Sequence, residues 1–551
     1  MVSSRKVVIV AAALLALLAL GCGPTAQPAP ATPGQQQVSA GAQPKQGGSI
    51  RYYLRGDPQG GFEPHIPGGR RDTRKVIGLA IQNAAQWDLL SDEQCTVAMR
   101  GALAESWRFT DDTTVELKLR QGVRFHNKPP VNGREMVADD VIWSYRRMFD
   151  RGILRTISNN VASMEAVDKY TVRIKTKEPE PLIGDAWLVF REAVILPKEA
   201  GGADDDFSRP ENIIGTGPFV MESWTPGVKA VLKKNPGYWK SGLPYVDQIE
   251  LTILRDDATR LSAVRTGQLD YQDELTVSER NQLSGTNPNM QWVLCESTPA
   301  GVVFPRNSAP PFNNVNVRRA LSMAIDRDAI VKGIMKGEGN VVAVSPWFVE
   351  GSLKPDELPP DTRRYLKYDP SEAKKLLAQE GFTSGINFSI EATLGYGSPF
   401  NEIVEVLPAM MKEAGFNAQL KIMDLQQLQA TLNRGEYDKV MINKSGTGSY
   451  PIERPLLGQH SGQGPDFNRS HIKDPELDRL VDRMARTVDD KARLEIAKQV
   501  QIRMVDQAYF MPMPSFMNFN AIQPHLKGLR INESTFREAG WRLFEEAWID
   551  K

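Results

Sequence analysis

Apolar residues recur in this chain with one of two periods. Val115, Leu117 and Leu119 alternate with polar neighbours, as do Tyr170, Val172 and Ile174, and again Ile249, Leu251 and Ile253. A period of two turns one side of an extended segment to a core, so each run predicts a half-buried strand. Gln121-Gly122 is placed to turn the first run into Val123-Arg124-Phe125, which predicts a hairpin. Arg51-Tyr52-Tyr53-Leu54, after Gly47-Gly48, predicts the strand that opens the folded body.

Other segments carry the helical period. Val317, Ala320, Leu321, Ala324 and Ile325 fall at i, i+3, i+4, i+7 and i+8, a single stripe able to dock on a core. In Asp369-Pro370-Ser371-Glu372 an acid stands at the N-cap, a proline with preset φ follows, and Glu occupies the third position of a capping box. Ala373, Leu376 and Leu377 then point inward, and Gly381 is placed to end the helix. Asp474-Pro475 repeats that start, with Leu477, Leu480, Val481 and Met484 as the stripe. Strands and helices are interspersed throughout, which predicts an α/β body.

One run obeys neither period. Val7 to Leu20 is apolar for 14 residues behind Arg5 and Lys6. Spanning a bilayer takes about 20 residues, so the run reads as the core of a signal peptide over 1–21. Ala19-Leu20-Gly21-Cys22 resembles a bacterial lipobox, with Ala19 where the commoner pattern has Leu. That resemblance implies a lipid on Cys22 and membrane contact through it. The other reading is an uncleaved membrane anchor; either one puts the body outside the cytoplasm. Residues 22–47 then form a tether built mainly from Pro, Ala, Gln, Gly, Thr and Ser, charged only at Lys45. It holds too little apolar surface to offset the entropy of ordering and is expected to be disordered.

The remainder, from Gly48, is long enough for two or three domains. With 67 basic and 67 acidic residues, and Arg5 and Lys6 lost with the leader, it lacks the basic footprint of a nucleic-acid binder. An exported chain permits a disulfide between Cys95 and Cys295, 200 positions apart; two separate buried thiols are the alternative. Chemistry is sparse. None of the five histidines shares the i, i+4 spacing of a helical metal site, and neither CxxC nor a nucleophile elbow nor a phosphate loop occurs. No catalytic residue, metal site or cofactor is expected. His126, beside Phe125 in a strand-like segment, reads as a structural or surface histidine, and Gly215-Thr216-Gly217-Pro218 as a turn.

Several short motifs in a fixed order carry a family resemblance. They are Leu103-Ala104-Glu105-Ser106-Trp107, Leu117 to His126 (LKLRQGVRFH) and Ala138-Asp139-Asp140-Val141. Met164 to Lys175, Ile195 to Lys198, Gly215 to Phe219 (GTGPF) and Asn235 to Trp239 follow. Val317 to Ile330 (VRRALSMAIDRDAI), Tyr368-Asp369-Pro370 and Asp474 to Asp478 complete the series. In this order and spacing the chain resembles the family 5 extracellular solute-binding proteins, the oligopeptide-, dipeptide- and nickel-binding components of ABC importers. Trp107, Phe125, Trp143 and Tyr145 within these motifs read as core.

The resemblance implies a periplasmic-binding-protein-like type II fold: two lobes with a hinge plus an extra insertion domain. The first lobe would comprise 48–68, 212–294 and 522–551, the insertion domain 69–211, and the second lobe 295–521. A ligand held between the lobes favours the closed form by its differential affinity for it. The implied partners are a small-molecule or peptide ligand and an ABC permease, with the protein acting as a monomer. Short peptides lead as cargo; an oligosaccharide, opine-like or metal-chelate ligand is the alternative, and an adhesin or extracytoplasmic hydrolase a remote one.

Peptide-binding members place an acid for the peptide ammonium in a segment resembling Trp-x-Ala-Asp-Tyr-x-x-Pro. Here the corresponding stretch is Asn443 to Pro455, with Tyr450-Pro451 retained, Ser449 where the Asp is expected, and Glu453 the nearest acid. Ligand-contact candidates on segments resembling cleft loops are Phe62, His65, Trp87, Arg306, Asn307, Trp347, Tyr396, Asn443, Ser449 and Tyr450. The aromatics offer flat faces, and Arg306 could grip a carboxylate with two N–H groups.

Overall fold

The computed structural model describes residues 43–550, apart from stretches at 59, 67–70, 90–96, 184–186, 348, 445–451, 466 and 532–541. The expected leader, Cys22, Cys95, Ser449 and Tyr450 lie outside the described residues. The body begins slightly before the tether boundary read from composition. Lys45 Nζ meets Asp550 at 2.6 Å, Gln46 Nε2 donates to the Gly242 carbonyl at 2.9 Å, and Gly47 N–H to Tyr245 at 2.8 Å. Polar residues suffice there because the partners are polar too.

The opening strand, Ser49–Leu54, runs parallel to Gln248–Ile253. That sheet continues antiparallel through Lys229–Lys234 to Phe219–Thr225. Ile249, Leu251 and Ile253 are all buried, as their alternation requires. A second four-stranded sheet runs in the order Ala104–Asp111, Thr114–Leu119, Thr171–Thr176, Val161–Asp168. Val115, Leu117, Leu119, Val172 and Ile174 fill one of its faces.

The hairpin expected through Gln121-Gly122 does not form. Thr114–Leu119 takes Ala104–Asp111 on one edge and Thr171–Thr176 on the other, so no edge remains for Val123–Phe125. Arg124 makes an isolated bridge to Glu135 instead. His126 is therefore not in a strand. It is buried against the Gly215–Pro218 turn, where its Nε2 lies 3.1 Å from the Gly217 carbonyl and its Nδ1 accepts from Gly215 N–H at 3.3 Å. The glycines of that turn are dictated by space. A Cβ on Gly215 would sit 2.3 Å from the Ala80 carbonyl oxygen, and one on Gly217 2.6 Å from the Ala80 carbonyl carbon.

Both sheets share one apolar core, which also takes in Phe519, Phe544 and Ile549 from the far end of the chain. Two further cores lie on opposite faces of a five-stranded sheet ordered Phe416–Ile422, Ile386–Ala392, Val440–Asn443, Val302–Pro305, Met511–Pro512. Its first three strands are parallel. Val440–Asn443 and Val302–Pro305 are buried at every position, as a sheet covered on both faces demands. The helices follow their sequence signals. Val315–Met323 buries Val317, Ala320 and Leu321; Asp369 caps Pro370–Gln379 through Glu372 N–H at 2.9 Å; Asp474 caps Pro475–Arg486 through Glu476 N–H at 3.0 Å.

Between these halves the chain crosses twice, side by side. Gln291–Pro299 pairs antiparallel with Ser515–Ile522, and the two continue into Val302–Pro305 and Met511–Pro512 respectively. Ala300 N–H to Pro514 O at 3.0 Å and Met513 N–H to Gly301 O at 2.8 Å tie the crossing together. Cys295, within it, is buried in a disulfide; the other two cysteines lie outside the described residues.

Candidate functional site

In open α/β sheets the crevice lies beyond the carboxyl ends of the parallel strands. Here Ile386–Ala392, Phe416–Ile422 and Val440–Asn443 run out on one edge, and Asn443 stands opposite Val302, just past the crossing. The segment that follows Ile386–Ala392 supplies Tyr396, between Gly395 and Gly397; Gly397 has φ +74, a conformation other residues rarely adopt. Tyr396 O–H donates to Asn443 Oδ1 at 2.8 Å. Gln429, from helix Leu425–Arg434, donates to that same oxygen at 3.2 Å and to the Tyr396 hydroxyl. Burial raises the Tyr396 pKa, so the phenol is neutral and remains a donor.

Lys444 follows directly. Its ammonium lies 5.4 Å from the Tyr396 ring centroid and 5.9 Å from that of Phe516, on crossing strand Ser515–Ile522. Beside Phe516, the Ser515 hydroxyl donates to the buried carboxylate of Glu296, whose other oxygen accepts Trp347 N–H at 2.8 Å. Trp347 is 37% exposed, and Lys354 Nζ stands 5.3 Å from its ring. The result is a series of contacts that links rings, amides and ammonium groups along the crossing, side-chain types that can hold a small molecule by stacking, hydrogen bonds and charge.

Tyr396 and Asn443 thus touch, whereas, among the described residues, Trp347 is linked to them only through Glu296, Ser515, Phe516 and Lys444. Arg306 and Asn307 stand elsewhere. They follow Pro305, which pairs with Val440 at the opposite end of the strand, three residues or about 10 Å from Val302 at the strand rise. Arg306 Nη1 donates to the Tyr437 carbonyl at 2.6 Å, and Asn307 Nδ2 to the carbonyls of Ser470 and Tyr509 at 2.7 and 3.0 Å. Phe62 and His65 are buried near the first core. Phe62 meets Trp224 edge-on at 5.3 Å; His65 Nδ1 accepts from Arg147, which also grips Glu63 and Asp205. Burial, then the Arg147 charge, lowers the His65 pKa to about 3. The backbone of Trp87 lies in strand Ala85–Leu89. Glu453, the nearest acid to the expected Asp, forms a buried ion pair with Arg493 at 2.9 Å.

Sequence reasoning passed over Gln429, Lys444, Phe516 and Glu296. Lys444 carried a usable signal, as the first charged residue after the buried run Val440–Asn443. Glu296 and Phe516 carried none, because the crossing that joins them pairs residues some two hundred positions apart.

The model of the bacterial extracellular solute-binding proteins, family 5, matches residues 98–464. Heme-binding protein A of Haemophilus influenzae is 26% identical over 460 residues, covering 78% of this chain and 81% of its own. Di/tripeptide-binding protein 1 of Pseudomonas aeruginosa is 26% identical over 470 residues, covering 78% and 83%. The ABC transporter-associated periplasmic binding protein DppA from Helicobacter pylori, solved with the peptide STSA, matches with a TM-score of 0.71 at 23% identity, over 92% of this chain and 99% of that one. The fold is therefore that of the type II periplasmic binding proteins. With a family match across most of the folded body and a crevice at the strand ends beside a double crossing, this chain belongs to the bacterial extracellular solute-binding proteins, family 5.

Proposed function

We propose that this protein is the binding component of an ABC importer, which takes a short peptide between its lobes and passes it to the permease on closure. The observation that carries the reading is the double crossing with a cluster of rings, amides and ammonium groups along it. Two adjacent strands can bend together as a hinge, and a ligand that touches both halves stabilises the closed arrangement by its differential affinity. In this reading the lobes are 48–68 with 212–294 and 522–551, and 295–521, with 69–211 inserted. The protein binds without transforming its ligand, works as a monomer and is held to the membrane by a lipid on Cys22. Peptide cargo is supported by the similarity to a di/tripeptide-binding protein and, at the level of fold, to a protein solved with a peptide.

Native mass spectrometry on the full chain, purified gently in detergent, tests the proposal. The expected result is a released ladder of unmodified peptide masses after denaturation. A chain that releases nothing and gains no thermal stability from any peptide pool overturns the peptide reading.

A further inference from the structure

The crossing is not equally firm along its length. Strand Ser515–Ile522 keeps Gln291–Pro299 on one edge, but the register shifts between Glu296↔Met517 and Pro299↔Ser515, so Ser297 and Thr298 together face Phe516. A bulge of that kind lets a strand bend. The other edge changes hands at the same level. Tyr271–Leu275 of the first lobe ends its ladder at Phe519, and Gly339–Asn340 of the second begins its own at Phe516, with Met517 and Asn518 between them. Both interruptions fall on Phe516–Asn518, where bending disturbs the fewest ladder bonds.

An ion pair spans this gap. Arg280 belongs to helix Val277–Thr286, which follows Leu275 and is capped by Thr276 through Glu279 N–H at 3.2 Å. Its guanidinium lies 4.5 Å from the Phe519 ring centroid, and its Nη1 donates to Glu338 Oε1 at 2.9 Å. Glu338 directly precedes Gly339, and this segment is seated close on the crossing strand. Met517 N–H reaches the Glu338 carbonyl at 3.4 Å, and a Cβ on Gly339 would sit 2.6 Å from the Ser515 carbonyl oxygen. The paired side chains are only 17% and 27% exposed, so water screens them less than it screens a surface pair. Resting on the closure between lobes proposed above, we infer that Arg280–Glu338 is a strut that sets the angle between the lobes in the free protein. Its two ends stand on opposite sides of the bend, so any other angle changes the distance between the charges. A ligand has to outweigh the strut to impose a different angle.

The test reads the angle directly. Nitroxide labels carried on a keto amino acid replace Lys233 in the first lobe and Lys375 in the second, two exposed positions. Pulsed electron resonance then gives the distance between lobes in the full chain in detergent. Glu338→Gln is expected to lower the population at the wild-type distance, relative to all others, by about fivefold. Arg280→Met, which keeps its stem on Phe519, should do the same, and the double variant no more than either, because all three remove one interaction. Melting temperatures close to wild type show that the variants fold; if Glu338→Gln does not, Arg280→Met decides. Distances unchanged in the single variants, or effects that add in the double, overturn the inference. The same labels with a tripeptide pool test the closure separately. If the pool leaves the wild-type distance unmoved while Glu338→Gln shifts it, the peptide-driven closure falls and the strut stands.

Discussion

His126 sits inside the first core with backbone partners on both ring nitrogens, an arrangement that suits the neutral ring, and burial lowers its pKa to about 4. In the unfolded chain the value is about 6.5. Between the two the unfolded state binds a proton that the folded state refuses. The stability tied to the neutral ring is therefore complete above pH 6.5 and lost as pH falls towards 4, by about 3 kcal/mol. His65, lowered to about 3, acts in the same direction. Melting temperature should fall steadily from pH 7 to 4.5, and His126→Gln should flatten that slope; an unchanged slope would contradict the neutral ring. Glu453 and Arg493 make the second residue-scale case. Arg493→Met strands a buried carboxylate and should cost about 3–5 kcal/mol in urea unfolding, whereas adding Glu453→Leu should restore most of the loss.

Elements were readable wherever their causes are local. Asp369 and Asp474 cap helices because an acid before proline satisfies N–H groups within three residues, and the stripe at Val317 is buried because period alone aligns it. Pairing is not local. The segment Val123–Phe125 carries strand-like residues yet finds no edge, since Thr171–Thr176 arrives from fifty residues downstream to claim it. The site divides along the same line. Tyr396 and Asn443 were reached through segments that resemble cleft loops, whereas Glu296 and Phe516 depend on which strands cross together. Arg306 looked equally eligible, but strand direction puts it at the wrong end of the sheet. One element-scale prediction rests on the tight seat of the Gly215–Pro218 turn. Gly217→Ala should destabilise by about 3 kcal/mol, because its Cβ would meet backbone that has no side-chain freedom to yield. Calorimetry on the purified variant would check it.

At the scale of the whole molecule, attachment and folding become separate questions. If Cys22 carries the lipid, Cys22→Ser should move the protein from the membrane fraction to the soluble one without changing the melting temperature of the body, which forms a compact unit from Gln43 onward. That unit has a particular wiring. Gly48 lies against Ile549, Tyr52 meets Phe544 edge-on at 5.5 Å, and Tyr238 donates to Glu545. The opening strand is made first; its paired strand Gln248–Ile253 follows midway, and Phe544 and Ile549 are added about 500 residues later. At a synthesis rate of about 5–20 residues per second, roughly 25–100 s separate the opening strand from these two residues. For all that time the first core lacks Phe544 and Ile549. Phe544 and Ile549 thus act as a late fastening, closing over a strand made about 500 residues before them.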